Sequence, residues 1–339
     1  MTASEKKRIP LFSIVIPVYN AEKSISRALN SIENQTFQDF ELILINDGST
    51  DNSLDVMTSY SNDHLVNYPV MIVTQDNSGA GSTRNKGINL ASGKYLVFLD
   101  ADDYLDCCFL EAVHESIEKD NSDVIFVDII REDEKGIVIR KESMSSFASF
   151  SKEDLIRQQL TGKMPWGGVR KVVRLEVVKQ NSIHFASIRV GEECIYSYEI
   201  LKHSDVISFQ NKALYHYVEM SNSLTSNDTV ENSLSVFNYI RSYMISTNQY
   251  KLYEKTIRSI AVSAMVVIIN VLTQTQRFSI AYKMSKKFLY EYSVFFKGKI
   301  DYLALDKRVI VCTPWVKAKL PLMIMLASTL KNITRGKSR

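Results

Sequence analysis

The stretch KYLVFLDADD, residues Lys94–Asp103, marks the centre of the predicted fold. An apolar run that follows Gly93 and ends in carboxylates is typical of a strand buried on both faces of a sheet. Ligands of open α/β sheets gather at the carboxyl ends of such strands. Three carboxylates at one strand end repel each other unless a cation lies between them, and Mg²⁺ binds one or two carboxylates together with water and phosphate oxygens. The stretch therefore predicts either a divalent-metal site or a solvated acidic turn.

The composition is that of an ordinary globular protein. The chain has 339 residues, of which 45% are hydrophobic and 23% are charged. This length accommodates two modest domains, or one large domain with an appendage. The formal net charge of +3 is too small to indicate a nucleic-acid-binding protein, so no nucleic-acid partner is predicted.

The cysteines and the apolar runs bear on the expected location. The four cysteines show neither metal-ligand spacing nor a disulfide-rich pattern, which favours a reducing cytoplasm. The polar segment 1–10 has no apolar core of a secretory signal. The two longest apolar runs, Ile260–Leu272 and Leu320–Leu330, are shorter than the roughly 18 residues that cross a bilayer. We therefore expect no membrane span.

Strands and helices alternate along the first 130 residues. Amphipathic segments, such as that from Glu22 to Asn34, separate the apolar runs and predict helices. The predicted strands are Leu11–Ile16, Phe40–Ile45, Val70–Thr74, Tyr95–Leu99 and Val124–Ile130. This alternation at βαβ spacing predicts an α/β fold with a mostly parallel sheet and helices on both faces.

Three predicted strands end in polar or acidic residues: Tyr19-Asn20, Asp47, and Asp100 with Asp102. The carboxyl ends of parallel strands lie along one edge of a sheet, so these loops predict one crevice. The turn Gly79–Gly81 lacks the G-x-G-x-x-G spacing of a dinucleotide-binding loop. Arg84, in the helix after this turn, would suit an anionic diphosphate, although a surface arginine fits the spacing as well.

Several motifs together resemble the family 2 glycosyltransferases of the GT-A fold, over roughly Phe12 to Leu224. They occur in the order that the family has. The matching segments are FSIVIPVYN at 12–20, NDGSTD at 46–51, NSGAGSTRNKG at 77–87, DAD at 100–102 and GEE at 191–193. The resemblance implies a sugar transferase that uses a nucleotide-sugar donor.

The resemblance also implies roles for individual residues. By this likeness the aspartate at 47 accepts a hydrogen bond from uracil, Asp100 faces the ribose, and Asp102 holds Mn²⁺ or Mg²⁺ on the diphosphate. Glu193 takes the position of the catalytic base. The remaining donor-binding residues that we expect are Pro17, Tyr19, Asn20 and Arg84.

The sequence departs from the family pattern at two places. Glu193 stands where aspartate is usual, so the base has to reach one methylene further. Gly167 and Gly168 follow Trp166, where polar residues and a lysine are common in the family. From spacing alone, Glu192 and Glu193 also fit a pair of helix N-terminal carboxylates, and Glu192 is the second candidate for the base.

The domain interpretation follows these motifs. Residues 1–10 form a polar N-terminal segment, and 11–226 form the catalytic domain, with a nucleotide-binding half at 11–130 and an acceptor half at 131–226. Residues 227–339 form a helical C-terminal region. The expected reaction is inverting transfer from a UDP-sugar to a saccharide acceptor, which we expect to be lipid-linked, in cell-surface polysaccharide synthesis. The alternatives are a sugar nucleotidyltransferase and a non-catalytic binding partner.

The C-terminal stretch carries basic residues and no acidic ones from Lys307 onward. Apolar residues, including Trp315, Leu322 and Leu326, lie between the charges. This pattern predicts an amphipathic helix on an anionic membrane surface, with a helix packed on the protein as the alternative. The first interpretation implies an enzyme that is peripheral on the cytoplasmic face of the cell membrane.

Overall fold

The computed structural model describes residues 8–63, 67–188, 190–220 and 229–336. The chain divides into two units: Met1–Phe150 with Trp166–Ser221, and Ser151–Pro165 with Asn222–Arg339. The first unit ends at Ser221, close to position 226, where the sequence interpretation placed the end of the catalytic domain. Residues 151–165, however, belong to the second unit and not to the acceptor half in which the sequence interpretation placed them.

The first unit is built on one nine-stranded sheet. The bounds of its strands are β1 Phe12–Val18, β2 Phe40–Asp47, β3 Val70–Gln75, β4 Tyr95–Phe98, β5 Tyr104–Leu105, β6 Val124–Asp133, β7 Val138–Glu142, β8 Lys171–Arg174 and β9 Ile207–Glu219. The strands follow the order β3-β2-β1-β4-β8-β6-β9-β5, and β7 pairs with β6 outside this path.

The sheet is parallel in one half and mixed in the other. Strands β1 to β4 pair in parallel, as the βαβ spacing predicted. Strand β8 runs antiparallel between β4 and β6, and β6 pairs in parallel with β9. The predicted strands agree with β1 to β4 and β6 within a few residues at each end. The α/β fold is therefore confirmed, with a mixed sheet.

The helices of the first unit connect these strands. Their bounds are α1 Ile25–Glu33, α2 Ser53–Asp63, α3 Ala80–Leu90, α4 Phe109–Asp120, α6 Leu175–Gln180 and α7 Glu192–His203. Helix α3 lies close to β1 at Gly87, where a Cβ atom would lie 2.3 Å from Val15 Cγ1. Only glycine allows this approach, which brings Arg84 on the same helix to the ends of the central strands.

The second unit is helical. Its helices are α5 Lys152–Leu160, α8 Val230–Ser246, α9 Glu254–Thr275, α10 Phe278–Glu291, α11 Lys307–Lys317 and α12 Pro321–Gly336. The Ser151 hydroxyl accepts a hydrogen bond from the Asp154 amide and caps the N-terminus of α5. Helix α9 contacts α8, α10, α11 and α12 and forms the core of this unit.

Among the described residues, α9 alone has the length and apolar composition of a membrane span. It extends the apolar run Ile260–Leu272 to a helix of 22 residues, longer than the sequence interpretation allowed. Within its most apolar stretch of 18 residues, 67% of the stretch is buried inside the protein. Length and composition alone are weak evidence for a span, because the core helix of a helical unit shows the same features.

Candidate active site

The first two strand-end loops are tied together by Asn20. This residue has a left-handed backbone, with φ of 49°. Its side-chain oxygen accepts a hydrogen bond from the Thr50 amide at 2.8 Å, and its own amide donates to Ser49 Oγ at 3.1 Å. Tyr19 remains 51% exposed beside this junction. Pro17 lies where β1 pairs only with β2, because the pairing with β4 ends at Val15.

Asp47 is buried at the end of β2 and supports the third loop. Its Oδ1 accepts hydrogen bonds from Gln75 Nε2 and the Ser78 amide, and its Oδ2 accepts one from the Gly79 amide at 2.9 Å. Burial acts to raise the pKa of Asp47, but these hydrogen bonds outweigh it and hold the pKa below its ordinary value. The carboxylate is therefore charged and fixes the turn that precedes α3.

Arg84 gathers three carboxylates from two distant parts of the chain. Its Nη2 lies 2.8 Å from Asp100 Oδ1, and its Nη1 lies 3.5 Å from Glu192 Oε1 and 3.7 Å from Glu193 Oε1. The arginine side chain is 7% exposed. Its guanidinium also lies over the ring of Phe185, 5.5 Å from the centroid. Arg84 thus links the end of β4 to the start of α7.

The charges in this cluster shift each other's titration. Burial acts to lower the pKa of Arg84, but Asp100 and Glu193 outweigh it and raise that pKa. Burial, together with the neighbouring Glu193, raises the pKa of Glu192 to about 7, against a lowering by Arg84. A carboxyl that titrates near neutral pH beside a permanently charged arginine is a feature of functional sites.

Asp103 anchors the acidic loop that follows β4. This buried carboxylate accepts hydrogen bonds from the Tyr215 hydroxyl at 2.6 Å and from the Val218 amide at 2.8 Å. The backbone carbonyl of Asp102 accepts a hydrogen bond from Arg27. Burial and the neighbouring Asp100 raise the pKa of Asp102 to about 6. Asp103 is therefore structural, whereas no side chain in the part of the chain that the structure describes donates a hydrogen bond to the Asp102 carboxylate.

Glu193 is oriented by a short segment that precedes β8. The Gly168 amide donates a hydrogen bond to Glu193 Oε1 at 2.7 Å. The buried ammonium of Lys171 donates to the carbonyls of Trp166 and Gly167 and to Ser197 Oγ. Burial lowers the pKa of Lys171 to about 7, although Glu193 acts in the opposite direction.

The structure brings together the predicted site residues in two groups. Arg84, Asp100 and Glu193 meet directly, with Glu192 beside them. Four others lie at the ends of β1 and β2 or in the loop after β1, and the structure shows no hydrogen bond or ion pair between them and Arg84: Pro17, Tyr19, Asn20 and Asp47. The sequence interpretation assigned no role to the supporting residues Gly168, Lys171 and Phe185. Gly168 was named only as a departure from the family pattern, and Lys171 and Phe185 gave no signal.

Comparison with known proteins identifies the family. The model of Glycosyl transferase family 2 matches residues 13–180. The chain is 30% identical over 263 residues to YibD of Escherichia coli K12, described as an uncharacterized glycosyltransferase, covering 75% of this chain and 73% of YibD. The chain belongs to glycosyltransferase family 2. EpsJ of Bacillus subtilis, another uncharacterized glycosyltransferase, is 27% identical over 64% of this chain and 63% of its own length.

The family's fold is also found in solved structures. Residues 1–349 of Staphylococcus aureus TarS, crystallised with UDP-GlcNAc, match with a TM-score of 0.67 and 19% identity over 95% of this chain and 92% of that one. The GT-A fold that the motifs implied is thereby confirmed. The chain spans just under two thirds of EpsJ and 35% of the full-length TarS sequence. What those proteins act on is therefore carried over only as a proposal.

Proposed function

We propose that the protein transfers a sugar from a UDP-sugar to a hydroxyl group of a saccharide acceptor, with inversion at the anomeric carbon. The observation that carries the proposal is the convergence of Asp100, Glu192 and Glu193 on Arg84. This arrangement joins the strand end where a donor would lie to the helix that carries the candidate base. TarS crystallised with UDP-GlcNAc and with UDP, which supports a uridine donor.

In this proposal Glu193 accepts the proton of the acceptor hydroxyl as that oxygen attacks the anomeric carbon. The bond from the anomeric carbon to the diphosphate breaks on the opposite face of the sugar. One base with no second nucleophile gives a single displacement, which inverts the configuration. A well-placed carboxylate base contributes roughly 10²–10⁴-fold to such a rate.

The donor would lie against the strand-end loops. Tyr19 presents a half-exposed ring on which a flat base can stack. Asp47 already holds the turn at Gly79, and its Oδ2 accepts one hydrogen bond, so that oxygen has room for a second donor such as uracil N–H. Asp100 uses Oδ1 toward Arg84, which leaves Oδ2 for a ribose hydroxyl.

A divalent cation, Mn²⁺ or Mg²⁺, fits the residues at the end of β4. No group of three or more histidine, cysteine or acidic side chains within the described ranges forms a complete metal site. The carboxylate of Asp102 offers one ligand, which suits a cation that takes its other ligands from water and diphosphate oxygens. When bound, the metal would act as a Lewis acid on the leaving diphosphate.

The sequence offers two other functional classes. A sugar nucleotidyltransferase usually has a glycine-rich, arginine-containing loop directly after the first strand, and Pro17–Asn20 is not such a loop. A non-catalytic binding partner would bind a nucleotide-sugar without consuming it. Incubation with a panel of UDP-sugars separates these classes, because only a transferase releases UDP in proportion to a new glycosidic bond.

Donor binding can be tested without knowing the acceptor. UDP with Mn²⁺ is expected to raise the melting temperature more than UDP alone, Mn²⁺ alone, or GDP with Mn²⁺. A ligand present at about 100 times its dissociation constant adds about 2.7 kcal/mol to the free energy of unfolding. Asp102→Asn is the matched variant, in which the metal-dependent part of the shift should disappear. Equal stabilisation by GDP would contradict the uridine assignment.

We further propose that the enzyme is peripheral on the cytoplasmic face of the cell membrane, where a lipid-linked saccharide would be its acceptor. TarS is named a poly(ribitol-phosphate) β-N-acetylglucosaminyltransferase, which supports a cell-surface polymer as the acceptor. Helix α12 packs one face on the second unit through Ile324 and Met325. Its other face leaves Leu322, Met323 and Leu326 more than 40% exposed, beside the basic residues that begin at Lys307.

This surface can be tested by point variants that spare the packed face of α12. Replacing Leu322, Met323 and Leu326 together with serine is expected to weaken binding to vesicles that contain anionic lipid, since both apolar burial and charge hold such helices. A vesicle-sedimentation assay measures the effect. Serine at the exposed positions Ile245 and Leu252 of the same unit is the control. Unchanged binding by the α12 variant would place any membrane contact elsewhere.

A further inference from the structure

The two departures from the family pattern meet in space. Gly168 and Glu193 are 25 positions apart in the chain, yet the Gly168 amide donates a hydrogen bond of 2.7 Å to Glu193 Oε1. The longer acidic side chain and the glycine before β8 are therefore in direct contact. Nothing in the sequence pattern indicates that one requires the other.

Space at position 168 is limited by the carboxylate itself. A Cβ atom on Gly168 would lie 3.3 Å from Glu193 Oε1 and 3.4 Å from Phe185 Cζ. The distance to Glu193 Oε1 is tighter than ordinary van der Waals contact, and the distance to Phe185 Cζ is at its lower limit. Phe185 is 1% exposed and stacks on Tyr196 with the ring centroids 4.0 Å apart. A side chain at 168 would thus push the carboxylate, because the ring behind it has no room to move.

Hydrogen bonds connect the segment before Gly168 to α7, the helix that carries Glu193. Lys171 is 1% exposed, and its ammonium donates to Gly167 O at 2.6 Å and to Ser197 Oγ at 2.9 Å. Ser197 lies one turn after Glu193 on α7, and its hydroxyl donates to Trp166 O at 2.8 Å. The carbonyls before Gly168 are therefore tied to α7 through two buried side chains.

The other carboxylate oxygen is left available. Among residues 8–63, 67–188, 190–220 and 229–336, no hydrogen-bond donor reaches Glu193 Oε2, whereas Oε1 has both the Gly168 amide and Arg84 beside it. A carboxylate with one fixed oxygen presents the other in a single orientation, which a proton acceptor in a displacement reaction needs.

We propose that Gly168 is a positioning residue for Glu193: its N–H fixes Oε1, and its missing side chain makes room for a glutamate where the family has aspartate. This inference rests on the proposed function. Glycine at 168 and glutamate at 193 are one coupled feature, and Lys171 with Ser197 keeps the supporting amide in place.

Because the two positions are coupled, we expect that the effects of substitutions at 168 and 193 on kcat are not additive. Gly168→Ala is expected to lower kcat at least tenfold with the KM for the donor changed less than twofold, because only the base is displaced. In the Glu193→Asp background the same glycine substitution should change kcat less than twofold, since the shorter side chain no longer reaches the added methyl group. The Glu193→Asp background serves as the control, because it keeps a carboxylate at position 193 and removes only its reach to position 168.

A second measurement does not depend on activity or on the folding of the alanine variant. With selective ¹⁵N-glycine labelling, Glu193→Asp should move the Gly168 amide proton upfield more than that of Gly167, since it loses a charge-assisted hydrogen bond. Equal effects of Gly168→Ala in both backgrounds, or an unmoved Gly168 amide, would overturn the proposal. Absence of sugar transfer by the unmodified protein with every UDP-sugar would instead contradict the proposed function and leave the amide measurement in force.

Discussion

Replacing Glu193 with glutamine is expected to lower the rate of sugar transfer by roughly 10²–10⁴-fold. The amide has almost the same size and can still accept the hydrogen bond from the Gly168 N–H, so the local structure should persist. It cannot take a proton from the acceptor at neutral pH. UDP binding should remain nearly unchanged, because the donor-binding loops are built from other residues.

Glu192→Gln is the matched control for this prediction. The two glutamates are adjacent, and both approach Arg84 Nη1, at 3.5 Å and 3.7 Å. Only Glu193 is also held by the Gly168 amide, so only its carboxylate has a fixed orientation. The control should retain most of the transfer activity in steady-state assays of UDP release.

The two variants also distinguish the results that would contradict the assignment of Glu193 as the base. Normal turnover by Glu193→Gln together with an inactive Glu192→Gln would shift the base by one residue. Full activity of both would place the base outside α7. Glu193→Asp should retain partial activity, because it keeps a carboxylate but moves it away from the Gly168 amide.

The parallel half of the fold could be predicted because its signals are local. Each strand from β1 to β4 is a largely apolar run, and polar residues at its end or shortly after it form the rim of the sheet. The spacing that places Arg84 in the first turns of α3 is also local. The contact between Arg84 and Asp100 then follows from the close approach of α3 to β1 at Gly87.

The other half could not be predicted, because it depends on pairing between distant segments. Strand β8 has only four residues, Lys171–Arg174, and two of them are basic, so its sequence does not look like a central strand. It is buried because β4 and β6 flank it on both sides. The Lys171 side chain is tolerated there because three oxygen atoms accept hydrogen bonds from its ammonium group.

The site combines both kinds of information. The motifs identified Asp47, Asp100, Asp102 and Glu193, but they assigned each carboxylate a single role, in ligand binding or in catalysis. The structure adds that Asp47 also carries the turn before α3 and that Asp103, next to the metal-binding candidate, supports β9 through Tyr215. The spacing of residues in the sequence does not reveal such double roles. An aspartate that accepts structural hydrogen bonds and an aspartate that binds a ligand are the same residue type.

Replacing Arg84 with methionine is expected to destabilise the protein most strongly at high pH. The substitution keeps an unbranched side chain that can pack on Phe185, but it leaves Asp100, Glu192 and Glu193 without their shared cation. Removing one partner of a buried ion pair costs about 3–5 kcal/mol, and we expect the lower end because these carboxylates are 17–26% exposed. For a domain of about 200 residues, a loss of about 3 kcal/mol lowers Tm by roughly 6–12 °C.

The pH dependence separates the loss of charge from the loss of packing. In the native protein the pKa of Glu192 is already raised to about 7, and Arg84 acts to lower it. Without Arg84 that pKa rises further, so the folded state binds more protons than the unfolded state above the ordinary carboxyl pKa of about 4.3. The variant is therefore most stable relative to the native protein near pH 5, and its deficit grows as the pH rises to 8.

Thermal unfolding of both proteins at pH 5 and pH 8 measures this difference. Arg140→Met is the matched control, because Arg140 is 52% exposed and pairs with Glu142 and Glu219 at the surface of the same unit. Exposed pairs of this kind contribute about 0–1 kcal/mol, so the control should change Tm by no more than a few degrees at either pH. If Arg84→Met lowers Tm equally at both pH values, its contribution lies in packing on Phe185 and not in neutralising the three carboxylates.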